Sequence, residues 1–176
     1  MSEIREARLQ KANSLVSKGF ASYAESFKIS HSTEFLIQKF DYLENGQEEN
    51  FKVSIAGRVM AKRVMGKIAF FTIRDQEGQI QLYLDKGIIN CDLENQKLLS
   101  YEDIKEIVDI GDWIGVHGTI KKTNKGELSI RVEKWEMLSK ALQPLPDKWH
   151  GLSDIEKRYR QRYLCLLYTS PSPRDS

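Results

Sequence analysis

GKIAFFTIRDQEGQIQLYL, residues 66–84, holds two apolar runs on either side of Asp75-Gln76-Glu77-Gly78. Acidic and glycine residues between alternating apolar runs predict a β-hairpin. Successive strand side chains point to opposite faces, so Ala69, Phe71 and Ile73 share one face of the first run. Ile80, Leu82 and Leu84 share one face of the second. Those six form a consistent core face. Opposite them stand Phe70, Thr72 and Arg74, then Gln79, Gln81 and Tyr83. This second face is polar with aromatics set into it. A single exposed phenylalanine would mean little. Phe70 beside Gln81, Tyr83 and nearby basic residues needs a reason.

Outward from the hairpin, FKVSIAGRVMAKRVM precedes it and alternates through Val53, Ile55, Gly57 and Val59, with Gly57 placed for a bend. SYEDIKEIVDIGD follows it and predicts a helix. Ser100 is the N-cap, Asp103 stands three residues on, and Ile104, Ile107 and Val108 form the apolar side. DWIGVHGTIKKT then reads as a strand through Ile114, Val116, Gly118 and Ile120. The turn NKGE leads to LSIRVEKWEML, with Leu128, Ile130 and Val132 inward. Three strands, a helix and two strands is the order of a five-stranded OB-fold, a Greek-key barrel that binds oligonucleotides or oligosaccharides over strands two and three. The expected class is mainly β with flanking helices, preceded by an N-terminal α-helical segment. That segment, SEIREARLQKANSLVSKG, stops at Gly19, and a short helix is expected around Ser32 to Asp41. Its apolar residues make no single stripe, so Arg5, Arg8, Lys11 and Lys18 are expected to face solvent, either simply hydrated or contacting phosphate.

Composition sets bounds on function. The chain has 176 residues, 40% hydrophobic and 30% charged, with a net charge of +2 from nearly equal totals of both signs. Total charge therefore selects no partner; only a local basic patch could. Cys91 and Cys165 show no CxxC spacing, and His31, His117 and His150 are scattered, so neither a disulfide framework nor a metal site is expected. No apolar run approaches membrane-spanning length and MSEIREARLQK lacks a signal peptide's apolar region, which points to the cytoplasm and away from membranes.

Four residues make a candidate base-reading site. Phe70 offers a flat face for one base, worth about 1–3 kcal/mol whichever base it is. Gln81 on the adjoining strand carries a donor and an acceptor suited to a base edge. Arg63, expected to enter strand two from the first loop, could fork to a base or neutralise phosphate. Glu127, in the turn before strand five, is acceptor-only when ionised and suits a base presenting an N–H. Singly, Arg63 and Glu127 read as solvated charge, Gln81 as an outward strand residue, and Phe70 as a ring that a helix could cover. Only their combination on one face points to recognition. Tyr83 reads as a packing or edge residue.

IAGRVMAKRVMGKIAFFTIRDQEGQIQLYL, GTIKKTNKGELSIRVEKWEMLSKALQPLPDKWHG and LSDIEKRYRQRYL together resemble the anticodon-binding domain of class II lysyl-tRNA synthetases. The resemblance runs from about Glu3 to Leu164. It implies that Phe70 stacks the central uracil of the lysine anticodon, that Arg63 and Gln81 bond its edge, and that Glu127 meets the first anticodon base. It sets the N-terminal helix near the anticodon stem, with Arg5, Arg8, Lys11 and Lys62 as possible phosphate contacts. A bulge in strand one would decide whether Lys62 or Arg63 faces the anticodon. The partner implied is the anticodon stem-loop of tRNA(Lys), and the full-length family is a homodimer using ATP and Mg2+. Two other readings stand beside this one: the OB domain of an aspartyl- or asparaginyl-type synthetase, and a free-standing module for single-stranded nucleic acid.

The expected organisation is a helical extension over 1–48, the OB domain over 49–140, a linker and the first helix of a catalytic domain over 141–164, and a tail over 165–176. CLLYTSPSPRDS in that tail resembles translated adapter sequence or a misjoined read. No residue is assigned a catalytic role, no P-loop motif occurs, and no cofactor is expected on this chain. The chain is expected to be a fragment without aminoacylation activity.

Overall fold

The alternation on either side of Asp75 becomes two paired strands, β2 (Ile68–Arg74) and β3 (Gln79–Asp85), in a computed structural model that describes residues 2–17, 27–91 and 99–141. Ala69, Phe71, Ile73, Ile80, Leu82 and Leu84 are all buried, as the pattern requires. Asp75 closes the turn: its N–H donates to the Gly78 carbonyl at 2.9 Å, and its carboxylate accepts from the N–H groups of Glu77 and Gly78. The same carboxylate takes the Thr33 N–H and hydroxyl at 2.9 and 2.8 Å. One aspartate thus shapes the hairpin and seats the start of a helix, α2 (Thr33–Lys39), whose N-cap is Ser32.

The strand before the hairpin, β1 (Glu48–Met65), runs 18 residues and serves two neighbours. It pairs antiparallel with β4 (Trp113–Lys122) as far as Arg58 and with β2 from Arg58 onward. A strand that changes partner in mid-course carries the sheet round a corner, and Gly57 sits at that change. A Cβ there would lie 2.9 Å from the Arg74 carbonyl oxygen, so only glycine allows the approach. The ring closes in the order β1-β2-β3-β5-β4, where β5 is Leu128–Ser139 and its contact with β3 is the parallel one. This is the mainly β, five-stranded barrel that the strand order predicts.

A helix, α4 (Tyr101–Ile107), joins β3 to β4 and carries the expected capping box. Ser100 accepts from the Asp103 N–H, and Asp103 returns the contact to the Ser100 N–H. Ile104, Ile107 and Val108 are buried in the core with Phe71, Leu82, Val116, Ile130 and Trp135. A one-turn helix, α3 (Lys86–Ile89), capped by the Asp85 side chain, was not anticipated. β5 holds its inward side through Ile130 and Val132, then slips one residue opposite His117/Gly118, so that Trp135 and Met137 continue inward.

The first helix, α1 (Ser2–Ser17), overturns one expectation. Arg8 and Lys11 do not face solvent. Arg8 donates to the Ala141 carbonyl at 3.2 Å, Lys11 meets the Asp109 carboxylate at 2.8 Å, and Ala12 on the same helix is buried. The attraction has a local cause, a carboxylate on the barrel just beyond α4. Arg5 is exposed. Lys18, the cap at Gly19, the linker helix beyond 141 and the tail over 165–176 lie outside the described residues.

Candidate nucleic-acid interface

Cross-strand register lines up the outward side chains in rungs. One rung reads Arg63, Phe70, Tyr83, Arg131 and Thr119 across β1, β2, β3, β5 and β4. The next reads Ala61, Thr72, Gln81, Ser129, Lys121 and returns to Glu48 on β1. Phe70 is partly exposed, the neighbour Phe71 fully buried. Tyr83 meets the Phe70 ring edge-on with centroids 5.7 Å apart, and the Arg63 guanidinium stands 5.7 Å from the same centroid. An edge-to-face aromatic pair of this kind holds both rings in one orientation.

Arg63 reaches this face because of a bulge. Strict alternation from Val53, Ile55, Gly57 and Val59 would send residue 63 inward. The pairing shifts between Val59 and Ala61, and every later side chain on β1 changes sides. Arg63 then pairs with Phe70, and Lys62 with Phe71. Arg63 therefore lies within β1, not in a loop leading to β2 as expected from the sequence. Lys62 turns to the other side, where its ammonium donates to the Lys105 and Val108 carbonyls at the end of α4 and sits 5.7 Å from the Phe71 ring. Burial lowers its pKa, and nearby Lys11 and Lys140 add to that while Asp109 opposes it. Of the four cations considered for phosphate, Arg5 is exposed, while Arg8, Lys11 and Lys62 are committed to acceptors within the protein.

Gln81 is held by its neighbour across the parallel pair. Its amide nitrogen donates to Ser129 Oγ at 2.9 Å, and Ser129 Oγ donates to the Glu127 carbonyl at 3.2 Å. Glu127 itself is exposed in a turn set by Gly126, whose φ of 93° suits glycine, and its N–H donates to Thr123 Oγ1. The structure thus gathers Phe70, Arg63 and Gln81 on adjoining strands of one face and brings Glu127 to its edge through Ser129. Lys121 and Arg131 were missed from the sequence. They join the face through the β3–β5 contact, which pairs segments nearly fifty residues apart (|i−j| = 48 for Gln81 and Ser129). No local pattern announces such a contact.

Over residues 53–138 the chain matches an anticodon-binding family described as an OB-fold nucleic acid binding domain. The lysine–tRNA ligase of Prochlorococcus marinus (strain MIT 9312) is 89% identical over 167 residues, 95% of this chain and 33% of that protein. The chain belongs to the lysine–tRNA ligase family. Another member, from Synechococcus sp. (strain RCC307), is 52% identical over 176 residues, all of this chain and again 33% of its own length. Within the family the barrel is the anticodon-binding OB domain. The chain spans about a third of the length of the curated lysine–tRNA ligases it matches.

Proposed function

We propose that this chain binds the anticodon loop of tRNA(Lys) through the face built on Phe70, as the RNA-reading part of a longer ligase. The observation that carries the reading is the rung itself. An exposed aromatic is held edge-on by a second ring, with a forked cation on one flank and an oriented amide one rung away. Phe70 would receive the central base, and its π-face tolerates any base. Identity would come from the edge. Gln81 uses one amide proton on Ser129, which orients the amide and leaves its carbonyl oxygen and second proton for a uracil edge. Arg63 adds a donor from the flank, and Glu127 accepts an N–H from the first anticodon base.

The activity in the relatives' name, joining lysine to tRNA, is proposed for the longer protein, in the cytoplasm and as a homodimer. ATP and Mg2+ belong with that activity. Among the described residues no three His, Cys, Asp or Glu side chains gather to hold a metal ion.

Competition binding with three RNA hairpins tests the reading. A hairpin with a UUU loop triplet should outcompete one with GUC and one with a scrambled loop. Equal competition by all three would reduce the barrel to a general single-strand binder. Preference for GUC would move it to the aspartyl-type reading.

A further inference from the structure

Past Tyr83, Arg131 of the aromatic rung and Lys121 of the next rung share one carboxylate. Lys121 Nζ lies 5.1 Å from the Tyr83 ring centroid and 3.1 Å from the Glu48 carboxylate, and Arg131 Nε stands 3.8 Å from the same oxygen. Four different strands supply these groups, and register brings them together: Glu48 faces Lys121 across β1–β4, and Arg131 faces Tyr83 across β5–β3. Both cations are partly shielded, while Glu48 is about half exposed (51% of its side chain). Exposed pairs of this kind contribute roughly 0–1 kcal/mol, so little free energy ties the cations to Glu48. A phosphodiester oxyanion arriving from solution can take the place of the carboxylate, because arginine and lysine bind phosphate oxygens through charge-assisted hydrogen bonds.

A base stacked on Phe70 has its sugar and phosphates at the edge of the ring. Arg63 stands on one side of that ring, and the Lys121–Arg131 pair lies beyond Tyr83 on the other. We propose that Lys121 and Arg131 bind a backbone phosphate of the strand whose base stacks on Phe70, and that Glu48 holds the two cations in place while the face is empty. The inference rests on the stacking reading above and adds a site and a built-in competitor to it. Glu48 pre-positions the pair and opposes binding. Its removal therefore has the opposite sign to removal of the cations.

The test measures affinity for the UUU hairpin against salt concentration, using the full chain. Each phosphate contact on a single strand contributes about 0.7 to the slope of log K against log salt. The double variant Lys121→Gln/Arg131→Gln should bind more weakly with a slope shallower by about 0.7. Glu48→Gln should bind tighter, by up to about fivefold given the worth of exposed ion pairs. Either an unchanged slope in the double variant or binding no tighter in Glu48→Gln overturns the proposal. If the double variant does not melt cooperatively, the single variants are read by the same criterion. Phe70→Ala is run beside them and should lose affinity at an unchanged slope. If it loses none, the stacking reading fails while the slope still decides the phosphate site; if the unmodified chain does not bind the hairpin, both fall.

Discussion

Gln81 carries sequence discrimination in this account, because its amide is fixed by Ser129 Oγ at 2.9 Å and reads a base edge rather than a base plane. Gln81→Ala should leave stacking on Phe70 in place and narrow the preference for uracil over cytosine at the central position. Competition between hairpins with UUU and UCU loop triplets checks this; a full loss of binding to both would mean that the amide holds the face together. Gly118 tests the barrel at the same scale. A Cβ there would fall 2.1 Å from the Arg131 carbonyl oxygen, on backbone that cannot give way. Gly118→Ala should lower stability by about 1–3 kcal/mol, the usual range for overpacking, as read by denaturant unfolding. It should also disturb Arg131 and with it the rung that holds Tyr83.

At the scale of elements, Arg8 and Lys11 tie α1 to Asp109. Asp109 meets Lys11 at 2.8 Å and Lys140 at 2.7 Å, and Lys140 is fully buried against Asp112 as well. Burial alone would push the Asp109 carboxyl up. Lys140 and Lys11 outweigh it and hold the pKa below the ordinary value. A carboxyl depressed in the folded state contributes stability that is present above its unfolded pKa of about 4 and is lost as pH falls through the folded value. Amide exchange in α1 should therefore rise in acid below about pH 4 before exchange in the barrel does. Asp109→Asn at neutral pH should have the same effect, weakening docking by about 1.5–3 kcal/mol, the range for hydrogen bonds to charged groups. Unchanged protection of α1 in that variant would mean that Ala12 and its neighbours suffice. None of this docking was legible in the sequence, since α1 has no clean apolar stripe and Asp109 is about a hundred residues from Lys11 (|i−j| = 98). The hairpin was fully legible, because period-two alternation and an Asp-to-Gly turn are local signals. So was the capping box at Ser100 and Asp103. The direction of Arg63 lay between these cases. Its place on the face was expected, but from a loop, with Lys62 as the alternative; the shift between Val59 and Ala61 within β1 decides for Arg63.

At the scale of the whole molecule, the closed barrel divides its side chains between a buried core and an outer face. The central claim is that the barrel turns one phenylalanine to RNA and its neighbour to the core. Phe71 is fully buried among Leu82, Ile104 and Val116, whereas Phe70 shares the outer rung with Arg63 and Tyr83. The most direct test is a side-by-side comparison of Phe70→Ala and Phe71→Ala, each read for unfolding free energy and for hairpin affinity at one fixed salt concentration. Phe70→Ala should lose about 1–3 kcal/mol of binding with little change in stability. Phe71→Ala should lose about 3–5 kcal/mol of stability, with binding kept in the fraction that remains folded. If Phe70→Ala unfolds like a core variant and its folded fraction still binds, the faces are reversed and the site is wrong.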